Sequence, residues 1–372
     1  MASLTALDWR GFLGRPALAM LTPQDLDTVL QQPILITGAG GSIGSALALR
    51  LMKLGGARLV LLESAENSLY QLERTWAESK AKTTASATFV LGDAGQHGLV
   101  EEIIATHRPG IVFHAAAHKN VPLLEGQPFA AIANNIFVTE SVVAAATVHA
   151  ARVVLLSTDK AVAPVSVMGA TKRVAEEIVL RSGGTVLRLG NVLASSGSVV
   201  EVFAEQIAHR RPLTVTHPAA LRYFLTMEEA VNLLLLAAAQ PAAHQGASRV
   251  LAPLLPAMHR IVELAEFMAR TLAPGREIAL EFCGLRPGDK LTEQLWESSD
   301  IVIPLTSGDL AVIESAQPVS TALQNGLAAL RNAVGMRDLE AALGQLRTLV
   351  PEFEPSEKVL ELARKEVRRV LV

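Results

Sequence analysis

Short, almost wholly apolar runs alternate with helical patterns through the first half of the chain: PILIT (33–37), RLVLL (58–62), ATFVL (87–91), GIVFH (110–114), RVVLLS (152–157) and TVLRL (185–189). Strands that are apolar at consecutive positions are buried on both faces, and their alternation with helices indicates parallel strands joined by crossovers. The pattern predicts an α/β fold built on a doubly wound parallel sheet. Past about residue 195, proline and glycine turns (RRPL, THPAA, LRPGDK) separate amphipathic helices such as MEEAVNLLLLAAA, which predicts a smaller C-terminal substrate-binding lobe. The chain divides into a linker-like segment 1–32, a nucleotide-binding domain 33–195 with a return segment near 223–252, and a second lobe from 196–222 and 253–372. The helical tail from about 337 (RDLEAALGQLRTLV) is expected to pack as an addition to that lobe.

With 372 residues, 50% of them hydrophobic and 19% charged, the chain can bury a large core. Its 33 basic and 36 acidic residues offer no general attraction for nucleic acid or an anionic membrane. Any anionic ligand must be held by local arginines. The single cysteine, Cys283, excludes an intrachain disulfide framework, points to a reducing cytoplasm, and reads as a small buried side chain. Asp8 and Arg10 make the amino terminus a poor signal peptide. The longest apolar run, AVNLLLLAAA (230–239), falls short of the roughly 20 residues of a membrane span, so a soluble chain with no span is expected.

The first strand runs into TGAGGSIGSALA, with Gly38, Gly41 and Gly44 spaced by three and a helical pattern following at once. Such glycines allow a tight turn and close approach of backbone to a pyrophosphate resting on the helix amino terminus. Glu63 ends the second strand nineteen residues past Gly44, where a carboxylate can bond a ribose 2′-hydroxyl and repel a 2′-phosphate, so NAD is preferred to NADP. Asp93, ending the third strand, could bond an adenine amino group or simply cap a turn. His114 and His118 lack the further ligands of a zinc set, and no metal is expected.

The order and content of six segments resemble a known family. TGxxGxxG is the spacing of extended short-chain dehydrogenase/reductases, whose nucleotide-binding part is a Rossmann domain. The segments LLESAENSLYQLE, VFHAAAHKNVPLLEGQPFAAIANNIFVT, STDKAVAPVSVMGATKRVAEE, RLGNVLASSGSVVEVFAEQI, LTVTHPAALRYFLTMEEAV and GLRPGDKLTEQL look like the capsule and polysaccharide branch, the nucleotide-sugar 4,6-dehydratases. The resemblance implies a homo-oligomer acting on UDP-N-acetylglucosamine to form a UDP-4-keto-6-deoxy-hexosamine. It adds Thr37, Ser42, Ile43, Ala94, Ala115 and Ala116 to the cofactor contacts, and Lys119, Asn135, Asn191, Arg222 and Arg286 to the sugar-nucleotide contacts. Many relatives carry membrane helices ahead of this region, and GFLGRP resembles the linker after them, which implies a soluble form or a catalytic part.

Where such segments usually have Tyr four residues before Lys, this chain has Met168 before Lys172. A thioether neither gives nor takes a proton at ordinary pH. By resemblance, Asp159 is the acid to the C6 oxygen and Lys160 the base at C5, Lys172 binds the nicotinamide ribose, and Met168 packs against sugar or nicotinamide. Thr158 can bond the C4 oxygen, and Thr158, Lys172 or a water takes the first proton. The Met-bearing branch is associated with retention at C5. Asn120, Ala194, Asp289 and Thr292 stand where relatives commonly have His, Gly, Glu and an aromatic. A nucleotide-sugar epimerase or reductase on the same scaffold, or a regulatory protein that binds NAD without turnover, are the competing functions.

Overall fold

The computed structural model describes residue 4 and residues 7–79, 84–240, 249–315 and 323–370. Parts of the expected linker (1–3, 5 and 6), of the return segment (241–248) and of the tail (371–372) lie outside the described residues.

Each of the six apolar runs forms a strand: β1 (Pro33–Thr37), β2 (Arg58–Glu63), β3 (Ser86–Leu91), β4 (Ile111–His114), β5 (Arg152–Thr158) and β6 (Thr185–Leu189). They lie parallel in the order β3-β2-β1-β4-β5-β6, so the order reverses between β1 and β4. Ligands of open α/β sheets bind outside the carboxyl ends of the strands at such a reversal. The sheet continues through Arg249–Pro253, parallel to β6, and then through Leu310–Glu314 and Ile301–Pro304, both antiparallel to their neighbours.

Because side chains alternate along a strand, the sheet feeds two cores. Leu35, Val112 and Val153 pack on one face, while Ile34, Ile36, Phe113 and Val154 pack on the other. The helix Met227–Ala239 lies on this second face with Leu233, Leu234 and Leu235 buried, and almost its whole circumference is covered. A third core is the lobe's own, made by Phe203, Leu213, Val215, Phe224, Leu264 and Met268.

Three expectations differ from the structure. The tail helices Leu323–Gly335 and Leu339–Leu349 do not join the lobe: Leu327, Leu330, Leu343 and Leu346 share the first core with Ala131 and Val167. Arg331 sits over the Phe137 ring and pairs with Glu140, so the amphipathic face finds its partner on helices flanking the sheet. The linker-like segment is packed in its described part. Trp9 and Leu13 enter the lobe core and Leu26 and Val29 the second sheet core, and between them Arg15 pairs with buried Glu229. Cys283 is exposed, because it follows the short edge strand Leu280–Phe282 at the lobe surface.

Pro128–Val148 forms 21 continuous helical residues, long and apolar enough to cross a membrane by length and composition, although 56% of its most apolar 18-residue stretch is buried within the protein. Sequence inspection passed over this stretch because Asn134, Asn135 and Glu140 interrupt it.

Candidate active site

At the end of β1 the chain turns through Gly38, whose φ of +69° is open to glycine. A Cβ on Gly38 would stand 2.7 Å from the backbone of Ala116, and one on Gly44 would stand 2.1 Å from the Gly38 carbonyl. Gly41 caps the helix Ser42–Leu54 with no side chain, so its first N–H groups face outward past the turn. Free N–H groups and the helix dipole favour an anion there. Glu63 is nearly buried and accepts hydrogen bonds from Gly40 N–H and Ala65 N–H, each at 2.9 Å, which ties the second strand to the turn. Thr37 is committed elsewhere: its hydroxyl bonds His114 Nδ1 at 2.7 Å, and Thr139 takes His114 Nε2 at 2.9 Å. Burial, with the nearby Lys172 charge, pushes His114 down to about 3, which leaves the imidazole neutral. Ala115 N–H donates to the Thr37 carbonyl, Ala94 is buried and Ile43 half-buried beside the turn, and Ser42 Oγ accepts from Ser196 N–H. Asp93 is exposed, and one carboxylate oxygen accepts from Gly95 N–H at 2.8 Å as a turn cap.

A second group of side chains gathers at the end of β5, where the backbone leaves the strand through a short 3₁₀ turn, Asp159–Ala161. The turn lets neighbours face different ways, since an extended strand would only alternate them. Asp159 is fully buried, and its Oδ1 accepts from Thr158 Oγ1 at 2.9 Å and from Lys160 Nζ at 2.9 Å. Its Oδ2 is buried without a hydrogen-bond partner. Lys160 Nζ also lies 3.3 Å from Asn191 Oδ1 and 3.3 Å from Glu293 Oε1. Burial draws the Lys160 ammonium toward neutrality, but Asp159 and Glu293 outweigh it and hold the amine above its ordinary range. Lys172, from the helix Val167–Arg181, donates to the Leu156 carbonyl at 2.8 Å, and burial lowers it to about 8 against the pull of Glu176. Beneath the group, Glu176 accepts from Ser157 Oγ at 2.6 Å and from Arg188 Nη2 at 2.7 Å, and Arg188 reaches the Leu295 carbonyl at 3.3 Å.

The other expected residues divide. Arg286 is exposed and, among the described residues, pairs with Asp289 at 2.8 Å. Arg222 is buried, with its guanidinium hydrogens on the carbonyls of Leu221, Lys290 and Leu291. Asn135 is spent on holding the loop after β4, accepting from His118 N–H and donating to His118 carbonyl and Thr171 Oγ1. Lys119 lies 3.5 Å from Ser195 Oγ, lowered by partial burial while Glu201 pulls it back. Met168 is 3% exposed within the first sheet core. Of the four departures, Asn120 caps a helical turn at Leu123, Asp289 pairs with Arg286, Thr292 bridges to Leu221, and Ala194 takes the left-handed φ of +57° that suits glycine.

Sequence reasoning missed Glu293 and Lys290. Both lie in GLRPGDKLTEQL, a segment singled out for its arginine. Lys290 Nζ donates to the Val162 carbonyl and lies 3.8 Å from Glu293 Oε2. A Glu two residues before a buried Leu295 was the only signal available.

A glycine turn opening a helix at the sheet's reversal point, with the Asp159–Lys160 pair at the end of β5, defines a Rossmann-type scaffold. Residues 34–314 match the family described as polysaccharide biosynthesis protein, and the chain belongs to that family. It is 39% identical over 294 residues to capsular polysaccharide biosynthesis protein CapD of Staphylococcus aureus, covering 75% of this chain and 48% of that one. It is 33% identical over 284 residues to a UDP-glucose 4-epimerase of Rickettsia rickettsii, covering 73% of this chain and 80% of that one. The chain spans about half the length of the first of these relatives. Among solved structures, Pen from Bacillus thuringiensis superposes with a TM-score of 0.67 at 26% identity, covering 77% of this chain and 90% of that one. DesIV, a dTDP-glucose 4,6-dehydratase from Streptomyces venezuelae solved with NAD and TYD bound, shares the fold with a TM-score of 0.60 at 18% identity, covering 70% and 87%.

Proposed function

We propose that the chain binds NAD on the glycine turn and dehydrates UDP-N-acetylglucosamine to UDP-2-acetamido-2,6-dideoxy-4-keto-hexose, retaining the C5 configuration, in the making of a surface polysaccharide. The observation that carries this reading is the Asp159–Lys160 pair at the end of β5, with Asp159 Oδ2 buried and unpartnered. NAD suits the turn because only glycines fit it, and Glu63 would meet a 2′-phosphate as a like charge. The NAD bound to DesIV supports the same choice. We take the cytoplasm as the compartment and a homo-oligomer as the assembly.

NAD, when bound, would accept the C4 hydride and return it to C6. The rest of the chemistry is assigned to side chains. Across the 2.9 Å hydrogen bond, one proton moved from Lys160 to Asp159 converts the ion pair into a neutral pair, which exclusion of water by substrate favours. The neutral amine takes the C5 proton, acidified by the C4 ketone, while the Asp159 carboxyl gives the proton it received to the departing C6 hydroxyl. The C5–H and C6–O bonds break, water leaves, and the ion pair is restored. The proton taken by Lys160 returns to C5 on the same face, which accounts for retention. In net, the C4 hydroxyl proton completes the water, and Thr158, Lys172 or a water is proposed to take it first. Arg286, Arg222, Asn191 and Lys119 are proposed for the sugar nucleotide, with Arg286 the one whose guanidinium is exposed.

Asp159→Asn and Lys160→Ala should each lower product formation roughly 10²- to 10⁴-fold while NAD still binds, measured by mass and NMR of the incubated sugar nucleotide. Full activity in either variant overturns the assignment. The Rickettsia relative favours a second reading, a 4-epimerase. That reaction would leave the mass unchanged and alter the stereochemistry, whereas a protein that only binds NAD would alter neither.

A further inference from the structure

Glu293 has no place in the acid–base pair described above, yet the fold fixes it against that pair from both sides. Its segment is held at one end by Leu221 N–H, which donates to the Leu291 carbonyl, and at the other by Arg188, which donates to the carbonyl of buried Leu295. The Glu293 side chain is 2% exposed, with Oε1 at 3.3 Å from Lys160 Nζ and 3.9 Å from Arg222 Nε. Oε2 is buried without a hydrogen-bond partner, and Lys290 Nζ lies 3.8 Å away. A buried carboxylate that leaves one oxygen unbonded forfeits stabilisation it could have had. Its position serves something other than its own solvation.

The groups facing Lys160 are Asp159 on its own turn, Asn191 after β6, Glu293 and Lys290 on the lobe segment, and Arg222 on the lobe strand. Asp159 gives up its negative charge in the neutral form of the pair, and Arg222 and Lys290 are repulsive. Glu293 is therefore the one anion beside Lys160 throughout the elimination.

We propose that Glu293 is a positioning residue that acts through Lys160: it keeps the pair's one shared proton from being lost to solvent as the pH rises. The proposal rests on the dehydratase reading for its effect on rate, but not for its effect on the proton. The shared proton is the difference between an active pair and an inert one. Without it Asp159 has nothing to give the C6 oxygen, so activity must fall at high pH where that proton leaves. Removing the Glu293 charge makes it leave sooner, and the alkaline limb of the rate profile moves to lower pH.

The test uses the full chain and the variants Glu293→Gln and Glu293→Asp. Lys160 is titrated by NMR of isotope-labelled lysine, with its signal identified by its loss in Lys160→Met. Glu293→Gln should lower the Lys160 midpoint by at least about one pH unit, the size expected for one opposite charge within 4–6 Å, and Glu293→Asp should recover part of the shift. With UDP-N-acetylglucosamine, the alkaline limb of the rate profile of Glu293→Gln should move down with the midpoint, so that kcat is lost above that limb and kept on the plateau below it, with KM nearly unchanged. A Lys160 midpoint that stays put in Glu293→Gln overturns the proposal whether or not product forms, as does a loss confined to KM. If Glu293→Gln does not fold, the same comparison is made with Glu293→Asp, in which the shorter side chain should lower the midpoint by a smaller amount; no movement there overturns the proposal. Wild-type protein that yields no product while the midpoint moves overturns the dehydratase reading and leaves the role of Glu293 toward the proton standing.

Discussion

The glycine turn is made of backbone from one contiguous stretch, residues 37–44, whereas the charged group at the end of β5, proposed as the acid–base end, is made of side chains from 157–160, 172, 191, 222 and 290–293. At the first end a helix amino terminus and a tight turn present N–H groups, and what matters is that no Cβ intrudes. At the second end, charges of both signs are buried within 4 Å of one another and held by partners far away in sequence. An anion-binding turn can be encoded locally because helix dipole and turn geometry are local properties. A tuned acid and base cannot, because desolvation and neighbouring charge come from whatever the fold packs against them.

The contrast is broken most forcefully from below the acid–base end. Arg188→Met leaves the fully buried Glu176 without its guanidinium and frees the Leu295 carbonyl, so it should cost about 3–5 kcal/mol of stability, measured by urea unfolding. The pair also fixes a pH signature. Glu176 is held below its ordinary 4.5 because Arg188, Arg173 and Ser157 outweigh its burial, so the stability it contributes is present above that value and is lost as the pH falls through its lower folded value. In Arg188→Met the acid loss should begin at higher pH.

A smaller effect is expected at the other end. Gly44→Ala puts a methyl 2.1 Å from the Gly38 carbonyl, an overpacking worth about 1–3 kcal/mol, and NAD affinity should weaken roughly 10- to 100-fold in a fluorescence titration. Unchanged affinity would mean that the turn is not the pyrophosphate seat. The smallest effect sharpens the comparison at the loop between the two ends. Ala194 holds a left-handed φ of +57°, and Ala194→Gly should gain about 0.5–1 kcal/mol by denaturant midpoint without altering kcat. A loss of stability there would show that the unfolded-state freedom of glycine outweighs the relieved strain.

How far the sequence could be read follows the same division. Six of the seven parallel strands of the main sheet were legible because double burial writes them as unbroken apolar runs, and the glycine turn was legible from position and spacing. Asp159 and Lys160 could be picked out because they follow a strand end. Their partner Glu293 could not, since nothing local separates it from a solvated glutamate. Thr37 and Asn135 were expected at ligands, but their polar atoms hold His114, His118 and Thr171. Tail and amino-terminal segments were misplaced because an amphipathic pattern says that a face will be buried, not against what.

The sequence by itself determined the parallel sheet and the glycine turn that opens its first helix, since each depends on periodicity or on neighbours within a few residues. Only the tertiary structure decided that Lys160 sits between two carboxylates, that Arg222 is spent on carbonyls, and that Met168 is core. Those depend on burial and charge brought together from separate parts of the chain, more than a hundred residues apart in the case of Lys160 and Glu293.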